Sequence, residues 1–281
     1  MFGQCTIVAP GLLGASLGLA LARYGLAQRV VAWARRPEAR LACAETHWCA
    51  AAPETLREAV AEADLVVLCA PVGVLADLAR EIAPALAPGT VVTDVGSTKG
   101  TLCREATAAL AETEAHFVGS HPMAGSEKTG LAHARADLFA GRPVFVTPWA
   151  DSDSAAVTRT CQLWRALEME VTTLHPDAHD EIVAHISHLP HLLASALAAL
   201  LGRVDPAWQA YSGQGLRDTT RIAAGSPTLW RDIFAQNRDE VLRALEGLES
   251  ELASARRALH NRDWATLRHQ LARGQAFRQG L

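Results

Sequence analysis

The sequence has no C-x-x-C pair, no basic run and no internal repeat, and each absence removes a class of function. Its 26 Lys and Arg and 30 Asp and Glu give a net charge of -4, spread along the chain. Without a basic stripe to neutralise a phosphate backbone, nucleic acid is excluded as a partner. The six cysteines (Cys5, Cys43, Cys49, Cys69, Cys103, Cys161) sit mostly in apolar runs, where a thiol behaves as a small hydrophobe. They read as reduced residues of a cytoplasmic protein. The N-terminus lacks a basic segment followed by an apolar stretch and a cleavage site, so no secretion signal is expected. The apolar stretch from Ile182 to Leu201 has the length of a membrane span, yet His185, His188, Pro190 and His191 interrupt it. Such residues are costly in hydrocarbon, and the expectation is a buried helix with no membrane partner.

What is present is a chain of 281 residues, 49% apolar, long enough for one large or two ordinary domains. Short apolar runs at Cys5–Val8, Arg29–Trp33, Asp64–Cys69, Thr90–Asp94 and Phe117–Gly119 alternate with helical patterns. Strands so apolar, separated by helices, predict a mostly parallel, doubly wound α/β sheet of Rossmann type, covered on both faces. Val144–Thr147 and Glu170–Thr173 read as further strands around a helix near 153–167. After about residue 175 the pattern is all helical, with a loop at Ser212-Gly213-Gln214-Gly215 and a break at Ser226-Pro227. From Asn237 to Gln279, apolar residues recur at three-and-four spacing and need a cover. The expected division is a dinucleotide-binding domain over 1–174 and a helical domain over 175–281.

Ala9-Pro10-Gly11-Leu12-Leu13-Gly14 stands where a G-x-G-x-x-G turn follows the first strand and opens a helix. In that turn the second glycine lets the backbone approach a pyrophosphate, and the third lets helix and strand pack closely. Gly11 and Gly14 fill both places, with Leu12 and Leu13 between them. Ala9 replaces the first glycine and fits if its φ stays negative. Ala70 and Pro71, after the third strand, join the cofactor set. At the end of the second strand, where a carboxylate would bond a ribose 2′-hydroxyl, stand Ala34-Arg35-Arg36. Two guanidinium groups there match a 2′-phosphate, so NADP is the expected cofactor, with NAD the other reading. A plain solvated turn before Pro37 is the alternative for both arginines.

Three polar segments interrupt the apolar pattern. Asp94-Val95-Gly96-Ser97-Thr98-Lys99 and Gly119-Ser120-His121-Pro122-Met123-Ala124-Gly125-Ser126-Glu127-Lys128 follow strands at the edge where open α/β sheets bind ligands. The third joins Asp177, His179, Asp180 and Glu181 to Ser187-His188-Leu189-Pro190-His191, with Arg217-Asp218-Thr219-Thr220-Arg221 downstream. Lys99 and Lys128 read either as contacts to phosphate or substrate, or as surface lysines. His179 with Asp180 reads as a helix start or a domain contact.

These strings resemble the prephenate and arogenate dehydrogenase family of tyrosine biosynthesis. The segments carrying the resemblance are DVGSTK at 94–99, GSHPMAGSEKTG at 119–130, HDEIVAHISHLPHLLA at 179–194 and GLRDTTRIAAGSPTLWRDI at 215–233. The resemblance implies a Rossmann domain followed by an all-α dimerisation domain, and oxidative decarboxylation of a cyclohexadienyl acid with NAD or NADP. It gives His121 the part of catalytic base, which suits an imidazole with an ordinary pKa near 6.5. Ser97 becomes the residue orienting the substrate hydroxyl beside the cofactor, and Ser120 and Lys128 join the substrate set. Arg221 takes a substrate carboxylate, with Arg217 as the alternative in that role or paired to Asp218. His188 and His191, three apart on a helix, either line the pocket or are hydrogen-bonded core residues. No metal is expected, since hydride transfer to nicotinamide needs none. The competing readings are another two-domain reductase of 3-hydroxyacid type, and a non-catalytic nucleotide-sensing dimer.

Overall fold

The computed structural model describes residues 1–125 and 130–280. Strands β1 (Phe2–Val8), β2 (Ala27–Trp33), β3 (Leu65–Leu68), β4 (Val91–Asp94) and β5 (His116–Phe117) form a parallel sheet in the order β2-β1-β3-β4-β5. The order reverses between β1 and β3, and the crevice beyond their carboxyl ends is where such sheets take ligands. Because strand side chains alternate, Cys5, Ile7, Leu65, Val67 and Val91 enter one core while Val8, Val66, Leu68 and Val92 enter another. Helix α1 (Leu12–Tyr24) covers the first core. The short helices α2 (Pro37–Ala44) and α3 (Leu56–Val60) follow β2, with Cys43 of α2 in the first core and Leu56 and Val60 of α3 in the second. Helices α4 (Val72–Ile82) and α5 (Gly100–Leu110) cover the second core. Both faces are therefore buried, as the near-continuous apolar strands require.

One expected strand is in fact two. The run Phe117–Gly119 breaks at Val118, whose N–H still bonds the Val92 carbonyl. From Gly119 the chain enters a second sheet, made of β6 (Gly119–Pro122), β7 (Pro143–Thr147) and β8 (Glu170–Thr173). There β6 runs antiparallel to β7 while β8 is parallel to it, with α6 (Ser154–Ala166) between the last two in sequence. His121 thus sits on a strand, not in a loop.

The turn after β1 holds a second correction. Ala9 has φ +61°, in the left-handed region, although its fit to the motif rested on a negative φ. Its N–H bonds the Trp33 carbonyl and its own carbonyl accepts from Gly11, so the neighbouring backbone holds the residue there. A Cβ in that region costs about 1–2 kcal/mol, partly offset by the roughly 0.4–1 kcal/mol that glycine loses through unfolded-state entropy. Ala9→Gly is expected to stabilise the protein by about 0.5–1 kcal/mol in urea unfolding. A lower unfolding midpoint would show the alanine to be unstrained. Gly14 does what its place demands, since a Cβ there would lie 3.0 Å from Ile7 Cγ2 and 3.1 Å from Cys69 Cβ.

From Pro176 onward the described chain is helical. Helix α7 (Pro176–Val183) runs through a wide π-helical turn (Ala184–His188) into α8 (Leu189–Leu201). After α8 come α9 (Gln214–Thr220), α10 (Pro227–Gln236), α11 (Arg238–Asn261) and α12 (Trp264–Gln279). Gln214 and Gly215, expected in a loop, begin α9. Ser226 caps α10 through the Leu229 N–H, as the Ser-Pro break predicts. The 176–201 helix leaves part of its apolar side uncovered: Ile186 and Leu200 are 58% and 55% exposed. Its buried residues include His179 and Asp180, which meet His121 and the start of α5, and His188 and His191, which meet Asn237 and Trp230 of the helical half. The expected buried helix is thus buried only in part: its polar residues and Val183, Ala184 and Ala194 have partners within the chain, while Ile186 and Leu200 do not.

Candidate active site

At the carboxyl end of β4, Asp94 is fully buried and ion-paired with Lys99 Nζ, also fully buried. The carboxylate further accepts from the N–H groups of Gly96 (2.7 Å) and Ser120 (3.1 Å), tying the 94–99 loop to β6. Burial raises the Asp94 pKa, and the Lys99 charge opposes the rise. Lys99 is therefore neither a surface lysine nor a free phosphate contact. Ser120 is corrected as well: its hydroxyl is fully buried and bonds Thr93 Oγ1 at 2.9 Å and the Asp94 carbonyl, leaving no route to a substrate. Ser97 is half-buried and its hydroxyl has no hydrogen-bond partner among the described residues.

The next residue on β6, His121, meets the helical half. Its Nδ1 lies 2.9 Å from His179 Nε2 on α7, and His179 Nδ1 lies 2.8 Å from Asp180 Oδ1. The Asp180 carboxylate also accepts from the N–H groups of Lys99 and Gly100, both at 2.8 Å, at the start of α5. Asp180 Oδ1 thus takes both the Lys99 N–H and His179, and Oδ2 takes the Gly100 N–H. Burial pushes the His121 pKa well below its ordinary value, and the neighbouring His179, Lys99 and His188 push the same way. Burial also lowers the His179 pKa, and its hydrogen bond to Asp180 opposes the shift.

His188 closes the π-helical turn and is buried. The Asn237 amide at the start of α11 donates to the Asp180 carbonyl at 2.8 Å and lies 3.1 Å from His188 Nδ1. An amide nitrogen only donates, so Nδ1 accepts and the His188 proton is on Nε2. That Nε2 is buried without a partner among the described residues. Burial holds the His188 pKa down at about 4, so the ring is neutral at working pH. His191 has a different surrounding. It stacks on Trp230 with ring centroids 3.5 Å apart, and a Cβ on Gly225 would come within 2.9 Å of its ring.

The remaining expected residues are scattered. Arg217 and Arg221 are exposed on α9 and the turn after it and make no ion pair among the described residues. The Arg217–Asp218 pair, the alternative reading for Arg217, is not formed; Gln214 Nε2 donates to the Asp218 carboxylate at 2.7 Å. Lys128 lies outside the described residues. Arg35 and Arg36 are exposed beyond β2, Arg36 beside Glu38 at 3.5 Å. Arg40, unmarked by any motif, donates to the carbonyls of Ala34 (2.8 Å) and Arg35 (3.1 Å) and so shapes that turn. Gly11, Leu12 and Leu13 are half-buried at the N-terminus of α1, where no side chain caps the free N–H groups. A Cβ on Gly11 would meet nothing within 4 Å, so the backbone at the start of α1 is open to a ligand.

A dinucleotide turn, a switch-point crevice and a buried imidazole one residue past the contact with the end of β4 are the parts of a nicotinamide-dependent dehydrogenase. The family models for the nucleotide-binding and dimerization domains of prephenate dehydrogenase match residues 17–173 and 175–273. The chain belongs to the prephenate dehydrogenase family, and it is an NAD(P)-dependent enzyme. It is similar to the cyclohexadienyl dehydrogenase of Zymomonas mobilis, 32% identical over 81% of this chain and 78% of that one. A prephenate dehydrogenase of Aquifex aeolicus, crystallised with hydroxyphenyl propionate and NAD+, superposes with a TM-score of 0.92 at 28% identity, covering 100% and 98% of the two chains. The Synechocystis arogenate dehydrogenase superposes at 0.86 with 26% identity, covering 99% of each.

Proposed function

We propose that the protein oxidatively decarboxylates prephenate, arogenate or both in cytoplasmic tyrosine biosynthesis, and that His121 is its catalytic base. The carrying observation is the buried, neutral His121 ring at the sheet's ligand edge, engaged on one nitrogen only among the described residues. Bound at the α1 N-terminus, the nicotinamide cofactor supplies the hydride acceptor. His121 takes the proton of the substrate's 4-hydroxyl as that carbon gives up its hydride. Loss of CO₂ leaves the pair of electrons in the ring, which becomes aromatic with a phenolic oxygen. His121 then returns the proton to that oxygen, so atoms and charge balance without a net proton released. Ser97 orients the hydroxyl, and the unpartnered Nε2–H of His188 donates to a substrate oxygen. Arg221, with Arg217 as alternative, takes a substrate carboxylate. His191 supports the wall by stacking on Trp230.

Residues 1–174 bind the cofactor through Gly11, Leu12, Leu13, Gly14, Ala70, Pro71 and Ser97, and residues 175–281 join two copies into a homodimer through the exposed apolar face of the 176–201 helix. The cofactor preference is for NADP, carried by Arg35 and Arg36 and by the absence of a carboxylate at Ala34. One assay tests this reading: purified protein against both substrates, each with NAD and NADP. Turnover of neither substrate overturns it. Arg35→Ala with Arg36→Ala is expected to weaken NADP about tenfold or more while leaving NAD nearly unchanged, as loss of charge-assisted phosphate contacts predicts. Equal effects on both cofactors would remove the arginines from 2′-phosphate binding.

A further inference from the structure

The histidine pair at the domain junction carries more than proximity. The Asp180 carboxylate only accepts hydrogen bonds, so His179 presents Nδ1–H to it at 2.8 Å. A neutral imidazole has one N–H, which leaves His179 Nε2 as an acceptor. Across 2.9 Å, that acceptor requires the proton of His121 to be on Nδ1. The lone pair of His121 is then on Nε2, the nitrogen that has no partner among the described residues. Asp180 cannot turn away, because both its oxygens are held by the Lys99 and Gly100 N–H groups.

We propose that His179, anchored by Asp180, is a positioning residue that fixes His121 in the Nδ1–H tautomer, with its basic Nε2 lone pair toward the reacting hydroxyl. The proposal rests on His121 acting as the base. It adds the reason why a buried imidazole with no carboxylate of its own is oriented correctly. When His121 Nε2 gains the hydroxyl proton, the Nδ1–H bond to His179 stays in place. The new positive charge lies one ring away from the Asp180 carboxylate, which partly neutralises it. Lys99, His188 and Asp94 are the other titratable groups near the pair, and Lys99 and Asp94 are already matched to each other. No proton has to cross to His179, and none is lost from the balance.

The test uses the full-length protein labelled with ¹⁵N-histidine, with NMR of the ring nitrogens at pH 8. The wild type is expected to show His121 protonated on Nδ1 and bare on Nε2. His179→Leu removes the acceptor. The His121 tautomer should shift toward Nε2–H, and kcat should fall about 10–100-fold, the usual effect of removing a group that orients another, with KM for the cofactor unchanged. His179→Gln, whose carbonyl can accept the same N–H, should restore much of kcat. An Nε2–H tautomer in the wild type overturns the proposal even if the variants fail to fold. So does His179→Leu with the tautomer and kcat both retained. A shifted tautomer with kcat intact would instead uphold the positioning and overturn His121 as the base.

Discussion

His121→Asn lowers kcat by about 10²–10⁴-fold, the usual contribution of a general acid–base group, while affinity for the cofactor stays near that of the wild type. The split is expected because His121 lies on β6 and bonds only His179 among the described side chains, whereas the α1 N-terminus is built separately from β1 and its turn. The pH profile of the wild type supplies a second readout. The base must be neutral, and burial with the nearby His179, Lys99 and His188 holds its pKa well below 6.5. The acid limb of kcat/KM therefore belongs below pH 6.5, with the rate flat above it. Near-normal turnover by the His121→Asn variant would exclude His121 from the chemistry, and a limb at or above pH 6.5 would show that burial does not hold the ring neutral.

Lys99→Met is the largest expected effect on stability. It leaves the Asp94 carboxylate fully buried with two N–H donors but no counter-charge, and breaking a buried pair on one side costs about 3–5 kcal/mol. Without the lysine, only burial and two hydrogen bonds set the Asp94 pKa, which then rises further above its unfolded value. A folded pKa raised above the unfolded one gives stability at low pH that is lost as pH rises. The deficit is thus expected to be large at pH 7.5 and to shrink toward pH 4.5. Urea unfolding at both values checks it, and the double change Asp94→Asn with Lys99→Met should recover much of the loss. A deficit under about 1 kcal/mol at pH 7.5 would show that water reaches the carboxylate.

The parallel sheet was legible because its strands carry apolar residues on both faces, a pattern that few other arrangements need. The switch between sheets at Val118 was not, since Phe117-Val118-Gly119 reads as one short strand and only the register with Val92 ends it. His121 stood out from its polar string between apolar runs. Ser120 beside it misled, because a serine aimed into the protein and one aimed at a ligand look alike until Thr93 and Asp94 are seen to use its hydroxyl. The supports of the site were hidden for a plainer reason. Asp180 binds backbone 80 and 81 residues away, and Asn237 reaches His188 across 49. The His-Asp pair at 179–180, set at the entrance of an apolar helix, was the one available signal. Asn237 had none.

The π-helical turn in the 176–201 helix decides which way its histidines look. A regular helix advances about 100° per residue, so His188 would sit about 180° around the axis from His179, and His191 about 120°. The Leu189 N–H bonds the Ala184 carbonyl, five residues back, so the wide turn absorbs one residue's worth of rotation. The offsets fall to about 80° for His188 and about 20° for His191, so the three positions come within about a quarter turn of one another. One residue of slack in the winding aligns a helix whose sequence, wound regularly, would turn two of these three imidazoles well away from the first.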